Sequence, residues 1–420
     1  MHPPPSLRPS LFSVALLLAC PAALAGCGDD DEPANDPAGA AGASGTGGAS
    51  GTGGTGTGGA SGTGGGAGAG GAGGAGGAGG AVALPKLADL PAGTFSFIKT
   101  GGETRCAKGA EYGFYVRPGA PEKVVIDFSG GGACWNEASC SISEMVQPLF
   151  SSTVQDAPGP VGIYDHANAE NPIAGWTHVF VPYCTGDIHW GNNVKTYGAG
   201  FTLNHVGAVN ARAVLDWVYG EFAAPERVFV TGCSAGSYGS ILWSADVREH
   251  YKDATTAVAQ FGDAGAGVSN ATFFQEAAQT WKPESAFPPW DGNFAQYAKL
   301  SQMYVAIADR YPTSLFSQVT TRVDQTQVAF YSFMDVGSTA ETWSQGMLAS
   351  YGEIEAAADN FSSYVASGDV HCSINRNEFY TITEGGVKLA DWVRELTAGG
   401  LPGRVRCPDC GPAARAAGAR

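Results

Sequence analysis

The sequence pattern that points most directly to chemistry in this 420-residue chain is Gly232-Cys233-Ser234-Ala235-Gly236, in which a glycine lies two residues before and two residues after the serine. An apolar run at 228–230 precedes it, and a segment with helical character at 238–251 follows it. A strand, a tight turn and a helix in this order present the serine hydroxyl at the tip of the turn, beside the positive end of the helix. The pattern predicts Ser234 as a nucleophile, with a structural glycine turn as the alternative.

A serine needs a base to accept its proton, and the base needs a carboxylate to orient it. In α/β-hydrolases the acid and then the histidine follow the serine along the chain. His250 and His371 are the histidines after Ser234. His250 ends the predicted helix, about 24 Å from Ser234 at the helical rise, and cannot reach it. His371 is therefore the predicted base.

Two aspartates compete for the role of the acid. Asp324 follows a later strand region, which suits an acid loop, whereas Asp263 ends the strand directly after the serine's helix, a position that is more often structural. A third, Asp369, lies two residues from His371 and is too local to orient its ring. The residue pattern favours Asp324 and leaves Asp263 open as the alternative acid.

A second glycine turn, Ser129-Gly130-Gly131-Gly132-Ala133, follows a clear strand at 123–128. Consecutive glycines let backbone N–H groups approach a substrate oxygen without interference from a Cβ atom, as in the oxyanion loops of esterases. We expect Gly132, Ala133 and Ala235 to supply these N–H donors. A plain turn is the alternative, and a phosphate-binding loop is excluded because no Lys-Ser or Lys-Thr pair follows.

Strands alternate with helical segments along the chain, which predicts an α/β fold with a mostly parallel sheet covered on both faces. In such sheets functional residues lie beyond the carboxyl ends of strands, where both glycine turns and Asp263 fall. The predicted strands lie within 95–116, 123–128, 177–182, 228–230, 256–261 and 319–333, and the predicted helices within 205–222, 238–251, 271–312, 341–365 and 385–396.

The sequence of the N-terminal region is typical of an export signal followed by an unfolded segment. Residues 1–26 have the form of a lipoprotein-type signal peptide, with an apolar run at 11–24 that is too short to span a bilayer. The run ends at a lipid-attachment box whose cysteine, Cys27, would carry the lipid; ordinary signal cleavage nearby is the alternative. Residues 27–82, rich in Gly, Ala, Ser and Thr, predict a disordered tether, and 83–420 a single folded domain.

Charge and cysteine content limit the partners. A formal net charge of −16 argues against nucleic acid and gives no basic patch for a lipid surface, so the membrane would be met through the N-terminal lipid alone. No histidine or carboxylate motif predicts a metal or another cofactor, and the oligomeric state is open. Eight cysteines remain beyond Cys20 and Cys27, which in an exported chain predicts disulfides of undetermined pairing. Cys407 and Cys410 suit a small terminal disulfide better than half a zinc site.

Together these motifs resemble the pectin acetylesterase/Notum family of serine carboxylesterases. The resemblance runs from about 105 to 375 in the family's order and is carried by Gly130-Gly131-Gly132-Ala133-Cys134 with Cys140, Tyr183-Cys184, Gly232-Cys233-Ser234-Ala235-Gly236, Asp263-Ala264-Gly265, Asp324-Gln325-Thr326-Gln327 and His371-Cys372. It implies an α/β-hydrolase-like fold, with Ser234, Asp324 and His371 as nucleophile, acid and base. It also implies the disulfides Cys134–Cys140 and Cys184–Cys233. Ala133 stands where the family usually has Trp, so a relative's substrate preference is not carried over.

We therefore expect an extracytoplasmic, lipid-anchored bacterial serine esterase that removes acetyl or other acyl groups from a polysaccharide. One alternative is a hydrolase of longer acyl esters or polyesters, favoured if 271–316 forms an apolar lid. Another is a catalytically inactive, carbohydrate-binding surface protein. Trp281, Trp290 and Trp343 could stack on sugar rings or serve as core and lid aromatics.

Overall fold

The computed structural model describes residues 83–288, 290 and 294–407. The predicted signal peptide at 1–26, the tether at 27–82, Cys27 and Cys410 lie outside these residues. Among the residues described, no helix combines the length and apolar character needed to cross a membrane.

An eight-stranded sheet lies at the centre of the domain, in the order β1-β2-β4-β3-β7-β8-β9-β10. At one edge, β1 pairs antiparallel with β2, and β2 pairs antiparallel with β4. The strands β4, β3, β7, β8, β9 and β10 are parallel to their neighbours in the sheet. β5 with β6 and β11 with β12 form separate antiparallel hairpins. The strands are β1 (Ser96–Lys99), β2 (Gly113–Arg117), β3 (Ala120–Phe128), β4 (Trp176–Val181), β5 (Asn193–Thr196), β6 (Thr202–His205), β7 (Arg227–Cys233), β8 (Ala257–Asp263), β9 (Phe316–Thr321), β10 (Phe361–Ala366), β11 (Thr383–Glu384) and β12 (Val387–Lys388).

Helices cover both faces of this sheet. Alternate residues of one strand pack on opposite sides: Val228 and Val230 join the larger buried cluster, whereas Phe229 joins a second cluster with Trp392. This arrangement confirms the predicted doubly covered, mostly parallel α/β fold. The helices are α1 (Glu137–Met145), α2 (Gly207–Glu221), α3 (Ala235–His250), α4 (Phe273–Trp281), α5 (Leu300–Arg310), α6 (Gln325–Met334), α7 (Ala340–Ala357) and α8 (Leu389–Thr397).

The parallel register brings the chemically interesting turns to one edge of the sheet. Phe128 of β3 pairs with Gly232 of β7, and Cys233 of β7 pairs with Asp263 of β8. Asp263 in turn pairs with Val319 of β9. The glycine loop after β3, the serine turn after β7 and the segment after β9 therefore leave the sheet side by side.

Some predicted elements differ from the structure. The segment 319–333 was predicted to contain a strand, but β9 ends at Thr321 and α6 occupies 325–334. The helix predicted over 341–365 ends at Ala357 and gives way to β10. The hairpin of β5 and β6 and helix α1 were not predicted.

Candidate active site

Ser234 occupies a sharp turn between β7 and α3. Its backbone has φ 56° and ψ −122°, a left-handed φ that a residue other than glycine rarely adopts. The Ser234 N–H donates to the main-chain oxygen of Asp263 at 2.9 Å. A Cβ atom at Gly236 would overlap the main-chain oxygen of Phe128, so the second glycine of the motif allows α3 to pass close to β3. The turn has the strand–serine–helix geometry that the pattern predicted.

His371 lies on the loop after β10 and bonds to Asp324. Its Nδ1 is 2.9 Å from Asp324 Oδ1 and 2.8 Å from Oδ2. The Asp324 carboxylate is fully buried, and it also accepts bonds from Gln327 N at 3.0 Å and Gln327 Nε2 at 2.9 Å. An ionised carboxylate only accepts hydrogen bonds, so Nδ1 carries the hydrogen and Nε2 is left as an acceptor. Asp324 is thus the aspartate in contact with the imidazole.

Asp263 is equally buried but bonds to a different group. Its Oδ2 accepts from Ser373 N at 2.6 Å, from Ser373 Oγ at 2.9 Å and from Ile374 N at 2.8 Å. Burial raises the pKa of Asp263 to about 6, against the lowering effect of these bonds and of the nearby His371. The structure therefore corrects the alternative assignment of Asp263 as the acid, because its carboxylate holds the loop after His371 and not the imidazole ring.

The glycine loop offers fewer oxyanion donors than expected. Within the described residues, neither Gly132 N–H nor Ala235 N–H donates to a protein acceptor, and both residues line one cavity with Ser234. The Ala133 N–H instead donates to the main-chain oxygen of Leu149 at 3.1 Å. The predicted role of Ala133 as a donor is therefore corrected, because a bridge between Gly132 and Phe150 uses that amide. This pairing left no signal in the local sequence.

Two side chains that sequence reasoning missed, partly buried Gln155 and buried His189, hold the glycine loop. Gln155 Nε2 donates to the Gly130 oxygen at 2.7 Å, and Gln155 Oε1 accepts from Ser129 Oγ at 2.9 Å. His189 Nε2 donates to the Ser129 oxygen at 2.9 Å. Burial lowers the pKa of His189 to about 4, so the ring is neutral near pH 7 and holds a fixed hydrogen bond. Neither residue belongs to a motif that could have predicted this contact.

Ser234, His371, Gly132 and Ala235 meet at a cavity with a mainly apolar wall. The cavity offers about 70 Å³ to the centres of water-sized groups. The wall is formed by Ala133, Trp135, Ile188, Tyr238, Ala264, Val268, Phe273, Thr326, Gln327, Phe330, Met334 and Trp343. Among the described residues no hydrogen bond joins Ser234 Oγ to His371 Nε2, although both side chains face this space.

An aromatic group around Trp135 forms part of this wall. The Trp135 ring lies 5.8 Å from that of Phe273 on α4, and 6.4 Å and 6.0 Å from those of Phe330 and Phe333 on α6. Trp343 also reaches the cavity.

The other two tryptophans considered for sugar stacking are bound elsewhere. Trp281 is buried, and its Nε1 donates to the Cys134 oxygen at 2.8 Å. Trp290 donates to the Tyr311 hydroxyl at 2.8 Å. Neither lines the cavity, so the structure leaves Trp343 as the cavity residue of the three.

The disulfides differ in part from those expected. The Cys134–Cys140 bond is confirmed, with Cα atoms 4.9 Å apart. The Cys184–Cys233 pairing is wrong: Cys184 bonds to Cys106, and Cys233 bonds to Cys372, because β7 and the histidine loop meet at the sheet edge. Cys407 is disulfide-bonded as well.

Two groups of His and Cys side chains lie close enough together to suggest a metal site. They are Cys134, Cys140 and His205, and Cys233, His371 and Cys372. The cysteines of each group are disulfide-bonded, and a disulfide sulfur is not the thiolate that binds metals. These groups therefore do not fit a metal ion.

A serine turn, a buried Asp–His pair and a glycine loop, gathered at the carboxyl edge of a parallel sheet, define an α/β-hydrolase-like protein. Comparison with solved structures agrees: the Wnt deacylase Notum from Drosophila superposes with a TM-score of 0.56 at 19% identity. The match covers 77% of this chain and 98% of that one.

Sequence comparison finds similarity to one family over part of the chain. The pectinacetylesterase family model matches residues 92–286. Palmitoleoyl-protein carboxylesterase notum2 of Xenopus laevis is 32% identical over 145 residues, which is 33% of this chain and 29% of that protein. Pectin acetylesterase 5 of Arabidopsis thaliana is 26% identical over 155 residues, 36% of each chain. Over this region the chain is similar to the pectin acetylesterase/Notum family, and it matches only about a third of the length of these curated relatives.

Proposed function

We propose that the protein is a serine carboxylesterase that uses Ser234, His371 and Asp324. The bond between His371 Nδ1 and buried Asp324, at the cavity that Ser234 lines, is the observation that carries this proposal. It gives the imidazole a fixed tautomer whose Nε2 can accept a proton, which is what a serine nucleophile requires. Similarity to the pectinacetylesterase family model and to relatives named as acyl esterases supports the same chemistry.

The reaction would run through an acyl-enzyme. Ser234 Oγ attacks the ester carbonyl carbon while His371 Nε2 takes its proton, and Asp324 stabilises the imidazolium. The N–H groups of Gly132 and Ala235 donate to the oxyanion, at the positive end of α3. His371 returns the proton to the departing alcohol. Water, deprotonated by the same histidine, then attacks the acyl carbon and releases the acid and free Ser234.

The cavity supports a short acyl group. The space of about 70 Å³ that is open to the centres of water-sized groups is small, and Ser234, Gly132 and Ala235 line it beside an apolar wall. A small space of this kind favours an acetyl group over a long acyl chain. We therefore propose acetyl or another short acyl ester as the substrate, with a polysaccharide as the carrier.

A hydrolase of longer acyl esters is the second candidate. The observation that favours it is the aromatic wall, in which Phe273 of α4 and Phe330 of α6 contact Trp135. Both helices line the cavity with apolar side chains, which suit a longer acyl chain. The relatives carry names of both kinds, acetylesterase and palmitoleoyl carboxylesterase.

Hydrolysis of p-nitrophenyl esters from acetate to decanoate by the full chain tests both candidates. We expect turnover to fall as the acyl chain lengthens beyond acetate and to be lost in Ser234→Ala. Ser237→Ala is the matched control, because Ser237 lies on the same helix and its buried hydroxyl has no hydrogen-bond partner in the described structure. Full activity of Ser234→Ala would contradict the proposal. A maximum at octanoate or decanoate would select the second candidate.

A catalytically inactive carbohydrate-binding protein has its own signature in this assay. It would hydrolyse none of the esters while still retaining an acetylated polysaccharide on an affinity gel.

We further propose that the enzyme acts outside the cytoplasm, anchored through lipid on Cys27. The disulfides support this location, because such bonds persist in oxidising compartments. Cys27→Ser is expected to move the protein from the membrane fraction to the soluble fraction, and unchanged membrane association would contradict the anchor.

A further inference from the structure

Two connections run between the serine turn and the histidine loop, one covalent and one through hydrogen bonds. We propose that Cys233, Cys372 and Asp263, together called the clamp, are positioning residues that set the distance between Ser234 and His371. This inference rests on the proposed esterase function and adds to it the device that brings nucleophile and base together.

The covalent connection joins the nearest neighbours of both residues. Cys233 directly precedes Ser234, and Cys372 directly follows His371; their Cα atoms are 5.6 Å apart across a separation of 139 residues. Both cysteines are buried. Cys372 has φ 64°, an unfavourable backbone angle for a residue other than glycine, which is retained only where the surroundings enforce it. The disulfide therefore fixes the loop beside the serine turn.

The second connection passes through a single residue. The main-chain oxygen of Asp263 accepts the Ser234 N–H at 2.9 Å. Its carboxylate accepts the N–H groups of Ser373 and Ile374, as well as the Ser373 hydroxyl. Asp263 thus contacts the nucleophile's backbone with one end and the base's loop with the other.

The contact between His371 and Asp324 does not set the distance between Ser234 and His371. It orients the imidazole ring about Nδ1, but Asp324 belongs to the segment after β9, and no described hydrogen bond links His371 to Ser234 itself. The clamp connects the two segments at the residues adjacent to the reacting pair. Since an error of about 1 Å in the placement of reacting groups costs on the order of 100-fold in rate, such a connection is needed for efficient proton transfer.

The test compares two disulfide-deficient variants of the full chain. In Cys233→Ala/Cys372→Ala we expect kcat to fall on the order of 100-fold, with KM changed less than about twofold, because the groups are misplaced while the cavity is kept. Cys106→Ala/Cys184→Ala is the matched control. It also loses a long-range disulfide, of separation 78, whose cysteines are not adjacent to Ser234 or His371 in the chain, and should keep kcat. The rate of Ser234 modification by a fluorophosphonate should fall in the first variant alone.

An unchanged kcat in the folded Cys233→Ala/Cys372→Ala variant would overturn the clamp, as would an equal loss in the control. If that variant does not fold, Asp263→Asn with the disulfide intact replaces it, and wild-type kcat there would overturn the clamp as well. A failure of the proposed function would give a different result. The wild-type chain would then either hydrolyse no ester or hydrolyse it only as well as Ser234→Ala does.

Discussion

Asp263 is the last residue of β8 and Asp324 follows the neighbouring parallel strand β9; both are buried, and both lie beside the histidine loop. Asp324 contacts the imidazole of His371. Asp263 instead accepts hydrogen bonds from the main-chain N–H groups of Ser373 and Ile374 and from the Ser373 hydroxyl, two and three residues after His371. The difference lies in the donor that each carboxylate meets. An imidazole N–H belongs to a ring that gains and loses a proton, whereas an amide N–H is permanent. One carboxylate can therefore support proton transfer, and the other can only hold a loop in place.

The largest expected effect is that of Asp324→Asn. Because asparagine cannot hold the imidazole in the required tautomer or stabilise the imidazolium, we expect kcat to fall about 10⁴-fold. Ester hydrolysis measures the loss, and circular dichroism checks that the variant is folded. A decrease in kcat of less than tenfold would contradict the role of Asp324 as the acid. A larger decrease in kcat for Asp263→Asn would show that the roles of the two aspartates are reversed.

The next effect concerns stability and belongs to Asp263. Its pKa of about 6 in the folded protein lies above the ordinary value of 3.8. The folded state therefore binds the proton of Asp263 more tightly than the unfolded state does. The contribution of this protonated carboxyl to the free energy of unfolding is complete below about pH 3.8 and is lost as the pH rises through 6. The decrease is about 3 kcal/mol at 1.36 kcal/mol per pH unit.

Urea unfolding of wild type and Asp263→Asn between pH 4 and pH 7 measures this effect. The wild-type decline over this interval should be smaller in Asp263→Asn, whereas Asp324→Asn keeps Asp263 and hence its part of the decline. Parallel curves for wild type and Asp263→Asn would contradict the assigned shift.

The smallest effects come from the donors around each carboxylate. Gln327→Leu removes the side-chain bond to Asp324 Oδ2, and the loss of one hydrogen bond to a charged group predicts about a tenfold lower kcat. Ser373→Ala removes one of the bonds to Asp263 but keeps both amide donors, so kcat should change less than about threefold. The reverse order of these two effects, measured on p-nitrophenyl acetate, would undo the comparison.

The sequence was informative where one local pattern determines the geometry. Gly236 must lack a Cβ because α3 passes β3, and chain order left His371 as the histidine able to approach Ser234. Alternation of strands and helices was sufficient for the sheet. Contacts between distant segments were not readable in this way, which is why the use of Ala133 N–H by Leu149 and the pairing of Cys233 were missed.

Helix α6 shows why local propensity failed elsewhere. Its residues include Val328, Phe330 and Phe333, which favour strands by type. Asp324 caps the helix by accepting the Gln327 N–H, and the helix places Phe330 and Met334 at the cavity. Tertiary packing and the cap thus override the propensity of the side chains.

The 139-residue separation of Cys233 and Cys372 also bears on how the enzyme matures. Ser234 and the glycine loop belong to the first part of the domain to be synthesised, whereas His371 arrives only with the segment after β10. Under the proposed function, a partly synthesised chain therefore carries Ser234 without its base and would not hydrolyse esters. Closing so long a loop requires the late parallel strands to assemble first, so oxidation would mark the final step of maturation. Full activity would then appear only once the complete chain has reached an oxidising environment.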